Sequence, residues 1–107
     1  MTGFNEYGDG NMLKEPCVYI MTNRSHTVLY TGVTSDIVKR VQQHKRGEGS
    51  AFSSRYKVAK LVFMERFPNM AQAIHAEKQI KGGSREKKIR LINGMNPEWC
   101  DLAEELS

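Results

Sequence analysis

Two tyrosines eleven residues apart, Tyr19 and Tyr30, an arginine and a histidine four apart, Arg40 and His44, and a glutamate on an apolar stripe, Glu77, are the side chains whose types and spacing could do chemistry. Arg40 offers a planar pair of donors that stays charged, which suits an anionic oxygen. A phenol has a pKa of about 10 when free, so either tyrosine could accept a proton only where nearby cations favour phenolate. A carboxylate turned toward a core must be protonated, paired with a cation or bound to a metal. Each residue also has a plainer role. The tyrosines could be a stacked cross-strand pair, Arg40 and His44 a solvated helix face, and Glu77 a rim position or a structural salt bridge to an arginine such as Arg40.

The elements that must position these groups can be read in order along the chain. Cys17 to Thr22 and Thr27 to Thr31 are rich in Val, Ile, Leu, Tyr and Thr around a turn-like Asn23-Arg24-Ser25-His26, which predicts a β-hairpin. If Thr22 faces Thr27 across that loop, Tyr19 stands directly opposite Tyr30. Thr34-Ser35-Asp36 caps a helix over Ile37 to Arg46, which Gly47 ends, and its four-residue spacing gives Arg40 and His44 one direction. Gly47 to Ser54 reads as a loop, and Val58 to Phe67 as a third strand. Pro68-Asn69 precedes a helix over Met70 to Lys81 with Met70, Ala73, Ile74 and Ile80 on its apolar face and Glu77 among them. Ser84 caps another helix to about Asn93, and Asn96-Pro97 reads as the start of a last one, with Trp99, Leu102 and Leu106 on its inner stripe. The expected fold is α+β: a small three-stranded antiparallel sheet, a β-hairpin plus a third strand, flanked by helices in the order ββαβ followed by helices.

A length of 107 residues suits one domain with a modest core. Met1 to Lys14 reads as a loose tail, so the domain is expected over residues 15–107. The net charge of +4 is unevenly spread: residues 37–90 hold fourteen basic and four acidic side chains, between two net-acidic flanks. Such a block could neutralise several phosphates, or be a solvated lysine-rich surface. No stretch approaches the roughly 20 apolar residues of a membrane span. Nothing at the start resembles a secretory signal, which makes the cytoplasm the expected compartment. Cys17 and Cys100 match neither a zinc pattern nor a redox pair, and are expected to be free, buried thiols.

Cys17-Val18-Tyr19, then Tyr30-Thr31-Gly32, then Arg40 and His44 on the next helix and Glu77 on a later one together resemble the GIY-YIG nuclease superfamily. The resemblance covers roughly Pro16 to Ile92, and the ending Asn96-Pro97-Glu98-Trp99 looks like that of its small, single-domain branch. Both tyrosines and the second glycine stand where the family has them. The first tripeptide reads Cys-Val-Tyr rather than Gly-Ile-Tyr and the second Tyr-Thr-Gly rather than Tyr-Ile-Gly, changes at packing positions. The resemblance implies a metal-dependent endonuclease that leaves 5′-phosphate and 3′-hydroxyl ends, with Tyr19, Tyr30, Arg40, His44 and Glu77 as catalytic residues. It implies one Mg²⁺ or Mn²⁺ ion at Glu77, Arg40 on the scissile phosphate, and Tyr30 as general base with Tyr19 as its positioning partner. DNA is expected ahead of RNA, bound through Gly32, Lys39, Lys45, Arg46, Arg55, Tyr56 and Lys57, with a protein partner as one source of target choice and no membrane. The alternative is a non-catalytic nucleic-acid-binding module, or an accessory domain of a repair or recombination complex. Asn93 and Asn96 are both candidates for the late asparagine of many members, and a cap is the simpler role for Asn96.

Overall fold

A computed structural model describes residues 15–106; the expected tail lies outside them. Strands β1 (Cys17–Thr22), β2 (Leu29–Thr34) and β3 (Lys60–Arg66) form one antiparallel sheet in the order β2-β1-β3. Helix α1 (Ile37–Lys45) and a short α2 (Ala51–Arg55) lie between β2 and β3. Helices α3 (Met70–Lys81) and α4 (Arg85–Met95) follow, then one 3₁₀ turn at Leu102–Glu105. The α+β architecture is the expected one.

β1 is the middle strand and all six of its residues are buried, which is why its sequence is continuously apolar rather than alternating. Alternate residues point to opposite faces. Cys17, Tyr19 and Met21 join Ile37 and Val41 of α1 on one face, with Leu61, Met64, Leu102 and Leu106. Ile20 joins Val62, Phe63 and Ile92 on the other, where Leu29, Ile80 and Trp99 also pack. The sheet is therefore a central layer, with α1 and the C-terminal turn on one side and α3 and α4 on the other. Burying a side chain such as Ile20 contributes about 1.5–3 kcal/mol, so these two clusters are the main favourable contribution to the fold.

The hairpin register differs from the expected one by two residues. Tyr19 pairs with Gly32, and Tyr30 with Met21. Two residues is a whole strand period, so both tyrosines keep the same face but meet diagonally. The turn is longer because Asn23 organises it: its Oδ1 accepts from the Thr27 and Val28 amides at 2.9 and 3.1 Å, and His26 takes a left-handed backbone at φ 59°. The Gly47 to Ser54 segment is also no simple loop, since the Ser50 hydroxyl accepts from the Ser53 amide at 3.0 Å and starts α2.

The expected last helix is absent. Asn96 is buried and uses its side chain as a clamp, donating to the Val62 carbonyl at 3.2 Å and the Cys100 carbonyl at 2.7 Å while accepting from the Cys100 amide. Asn96 is thus a clamp and not the expected cap, Trp99 bends away at φ 55°, and the 3₁₀ turn begins only at Leu102, capped by the Asp101 carboxylate. Trp99 and Leu102 consequently pack on opposite faces of the sheet rather than on one stripe. Cys17 is buried and free, as expected, whereas Cys100 is free but exposed because the clamp holds its backbone and leaves its side chain outside. Among the described residues no helix is long and apolar enough to cross a membrane.

Candidate active site around two tyrosines, an arginine and a histidine

Gly32 is what lets Tyr19 lie across β2: a Cβ at that position would collide with the Tyr19 ring and hydroxyl. The phenol thus runs over the strand to meet α1, where the Asp36 carboxylate caps the helix by accepting from the Lys39 amide at 3.1 Å. Tyr19 is 0% exposed. Its hydroxyl lies 3.2 Å from Nε2 of His44 and receives a bond from Nη1 of Arg40 at 3.4 Å. The Tyr19 hydroxyl and Nε2 share one hydrogen bond whose donor is set by the imidazole tautomer, and the other ring nitrogen is Nδ1. That Nδ1 is buried without a partner, packed where a side chain on Gly49 would collide with it.

Tyr30, half-buried, completes the cluster. Its ring lies 6.3 Å from that of Tyr19 and 5.1 Å from that of His44. Burial pushes the Tyr19 phenol up to about 12, against the opposing hydrogen bond from Arg40. Burial, and then the Arg40 charge, hold His44 below its ordinary 6.5. At neutral pH both are therefore uncharged, and Arg40 is the cation of the cluster. His44 is a hydrogen-bonding partner of Tyr19 rather than a protonated neighbour favouring phenolate.

Gln43 went unnoticed in the sequence. Its Oε1 accepts from Nε of Arg40 at 3.1 Å, fixing the plane of the guanidinium. The available signal was its spacing of three from Arg40 on one helix. Beside the pair lies a recess of about 310 Å³ lined by Thr34, Ser35, Asp36, Lys39, Arg40 and Gln43. It is polar and carries two cations, which suits an anionic oxygen group.

Glu77 belongs to another layer. It is 9% exposed on the inner stripe of α3 with Ala73, whereas Ile74 turns outward because it lies 100° of helix rotation from Ala73. Three residues on, Ile80 packs with Ile20 and Leu29, which point away from Tyr19 and Tyr30. The ion pair formed by Glu77 is with Lys81, one turn along its own helix, at 3.5 Å, and Arg40 is instead held by Gln43 and Tyr19. The structure thus joins four of the five candidate residues by direct contacts, and carries the fifth on the helix packed over β1 and β2 from the opposite face.

The expected binding residues divide as well. Lys39, Arg55, Tyr56 and Lys57 are exposed, while Gly32 is buried under Tyr19. Lys45 is held 2.7 Å from Asp101, and Arg46 3.3 Å from Glu48. Burial pushes the Asp101 carboxyl up, but bonds from Lys45, Ala103 and Leu61 outweigh it and hold it below the usual 3.8, so Lys45 anchors the C-terminal turn. Asn93 accepts from Nε1 of Trp99 at 2.7 Å, and Asn96 is the clamp described above.

The model of the GIY-YIG catalytic domain matches residues 15–90. The chain belongs to the GIY-YIG family. It is similar to a UPF0213 protein of Staphylococcus saprophyticus, 38% identical over 65 residues that cover 61% of this chain and 79% of that one. A UPF0213 protein of Natronomonas pharaonis is 37% identical over 81 residues, covering 76% of this chain and 94% of the relative. The solution NMR structure of a UPF0213 protein from Bacillus halodurans superposes with a TM-score of 0.51 at 28% identity, over 78% of this chain and 88% of that one. GIY-YIG domains are typically endonucleases, interact with nucleic acid and generally use a divalent metal.

Among the described residues no three of His, Cys, Asp and Glu converge on a common point, so a site enclosed by protein ligands is not what this GIY-YIG domain offers a metal. Glu77 is a buried hard-oxygen donor, paired only at 3.5 Å with a lysine whose side chain is largely exposed. That fits a single-carboxylate site for a hard cation, with water and substrate oxygens as its other ligands.

Proposed function

We propose that the protein is a metal-dependent endonuclease that hydrolyses DNA phosphodiesters, leaving 5′-phosphate and 3′-hydroxyl ends. The observation that carries this reading is the contact of Tyr19, Tyr30, His44 and Arg40 beside a polar recess of about 310 Å³. Arg40 is held by Gln43 at Nε and by Tyr19 at Nη1, so its remaining N–H groups are aimed and charged in advance of substrate. They bind the scissile phosphate and stabilise the charge it gains in the transition state. As phenolate, its own proton having passed to solvent, Tyr30 takes the proton of the attacking water, because Tyr19 is buried and stays protonated up to about 12. Tyr19 and His44 hold Arg40 and Tyr30 in place.

Glu77 would hold the divalent ion, which would supply positive charge at a phosphate oxygen and at the leaving oxygen. β2 is an edge strand and α3 packs on β1 and β2, so a phosphate lying along that edge is the one approachable from both layers. The placement of Glu77 on the opposite layer favours a second reading, a binding module in which the Glu77–Lys81 pair is structural. Incubation with nicked, branched and linear DNA and with RNA, with and without Mg²⁺, separates the two. Metal-dependent cutting with 5′-phosphate ends supports the nuclease; binding without cutting in every condition supports the module.

A further inference from the structure

Tyr30 is the inner end of a row of rings that leads out of the site to the surface. Phe52 on α2 stacks on it at 6.1 Å with planes 29° apart, and Tyr56 follows at 4.9 Å from Phe52. Phe52 is 45% exposed and Tyr56 42%, so each presents ring surface to solvent where an aromatic side chain would ordinarily be covered. Cations accompany them: the guanidinium of Arg55 lies 5.6 Å over the Tyr56 ring, and Lys57 is exposed at a left-handed φ of 56°. Beyond Tyr56 is a hollow of about 440 Å³ bounded by Asn23, Arg24, Ser25, Tyr56 and Lys57, between the hairpin turn and the end of α2.

Exposed aromatic faces interleaved with cations are the surface that binds unpaired nucleotides, because every base has a π-face and every nucleotide a charge. A duplex keeps its base faces covered by stacking and cannot use these rings without being opened. We infer that Phe52 and Tyr56 are a stacking shelf for an unpaired nucleobase next to the scissile phosphate, so that the substrate is single-stranded or carries a flap or splayed end there. The inference rests on the nuclease reading for what Tyr30 does, but the shelf itself is a binding site and can be tested without cleavage.

The test is a metal-free titration of fluorescent oligonucleotides, as single strand, blunt duplex and flapped duplex, with 2-aminopurine in the unpaired segment reporting stacking. Phe52→Leu and Tyr56→Leu are expected to weaken single-strand and flap binding roughly tenfold and to lose the 2-aminopurine quench, leaving duplex affinity unchanged. Tyr56→Phe, which keeps the ring, is expected to bind as the wild type. Tyr56 lies one ring removed from Tyr30, so its variants stay readable if Phe52→Leu disturbs the inner cluster. Equal effects on duplex and single strand, or none, would overturn the shelf even if the protein cuts DNA. Ring-dependent single-strand binding with no cutting would uphold the shelf and remove the nuclease, and binding to no nucleic acid would remove both.

Discussion

Tyr19 and Tyr30 are the same residue type on the same face of one hairpin, yet they are buried to different extents, and the proposed roles follow that difference. Tyr19 is sealed in and bonded to His44 and Arg40, while Tyr30 is half-buried at the open side. Tyr19→Phe should therefore leave Nε2 of His44 unpartnered and cost about 1–3 kcal/mol of stability in denaturant melts, with a smaller effect on cleavage. Tyr30→Phe should leave stability nearly unchanged and lower cleavage about 10²- to 10⁴-fold. The pH dependence follows from His44, whose native pKa lies below its ordinary 6.5. In the window beneath 6.5 the unfolded chain holds a proton that the native one does not. Stability is therefore complete above that value and falls as the solution is acidified through the native pKa. Thermal melts between pH 7 and 5 should show that slope in the wild type and a shallower one in His44→Gln. Residue types and spacings were enough to single out four side chains that the structure brings into contact. The resemblance implied a division of roles, with Tyr30 as base and Tyr19 as its positioning partner; which phenol is buried was not legible, because packing against residues far away in the chain decides it.

At the scale of elements, local signals set the elements and long-range contacts set their ends. Asp36 and Ser84 each cap the helix expected of them, and Asn69 caps the helix it was expected to precede, since capping needs only neighbours. The hairpin register was out of reach of turn composition, because Asn23 lengthens the loop and the Tyr19 ring selects Gly32 as its partner. Gly32→Ala should accordingly displace Tyr19, loosen Arg40 and reduce both stability and cleavage, readable as lost dispersion of the Tyr19 ring resonances by NMR. Asn96 was misread as a cap for the opposite reason: its partner, the Val62 carbonyl, is thirty-four residues away. Asn96→Ala should cost about 1–3 kcal/mol by leaving buried backbone groups unsatisfied, measured by urea unfolding, without changing cleavage per folded molecule.

For the molecule as a whole, the basic block of residues 37–90 spans both layers rather than forming one surface, and parts of it are already engaged by Asp101, Glu48 and Glu77. Binding to DNA should weaken with salt by fewer effective contacts than fourteen basic residues would suggest. A small sheet flanked by helices was readable from the pattern of apolar runs, and so was the core-facing position of Glu77. What the pattern could not give is which side of the sheet each helix covers, and it is this that separates Glu77 from the phenols. Cleavage by this site therefore requires the two layers to act on one phosphate across the edge of β2. Single-turnover cleavage of a DNA substrate across a Mg²⁺ titration, comparing wild type, Tyr30→Phe and Glu77→Gln, measures it directly. The expected result is metal-dependent cutting by the wild type, loss of cutting at every Mg²⁺ concentration with Tyr30→Phe, and a large rise in the Mg²⁺ requirement with Glu77→Gln. Cutting that ignores Mg²⁺, or that survives both substitutions unchanged, would contradict it.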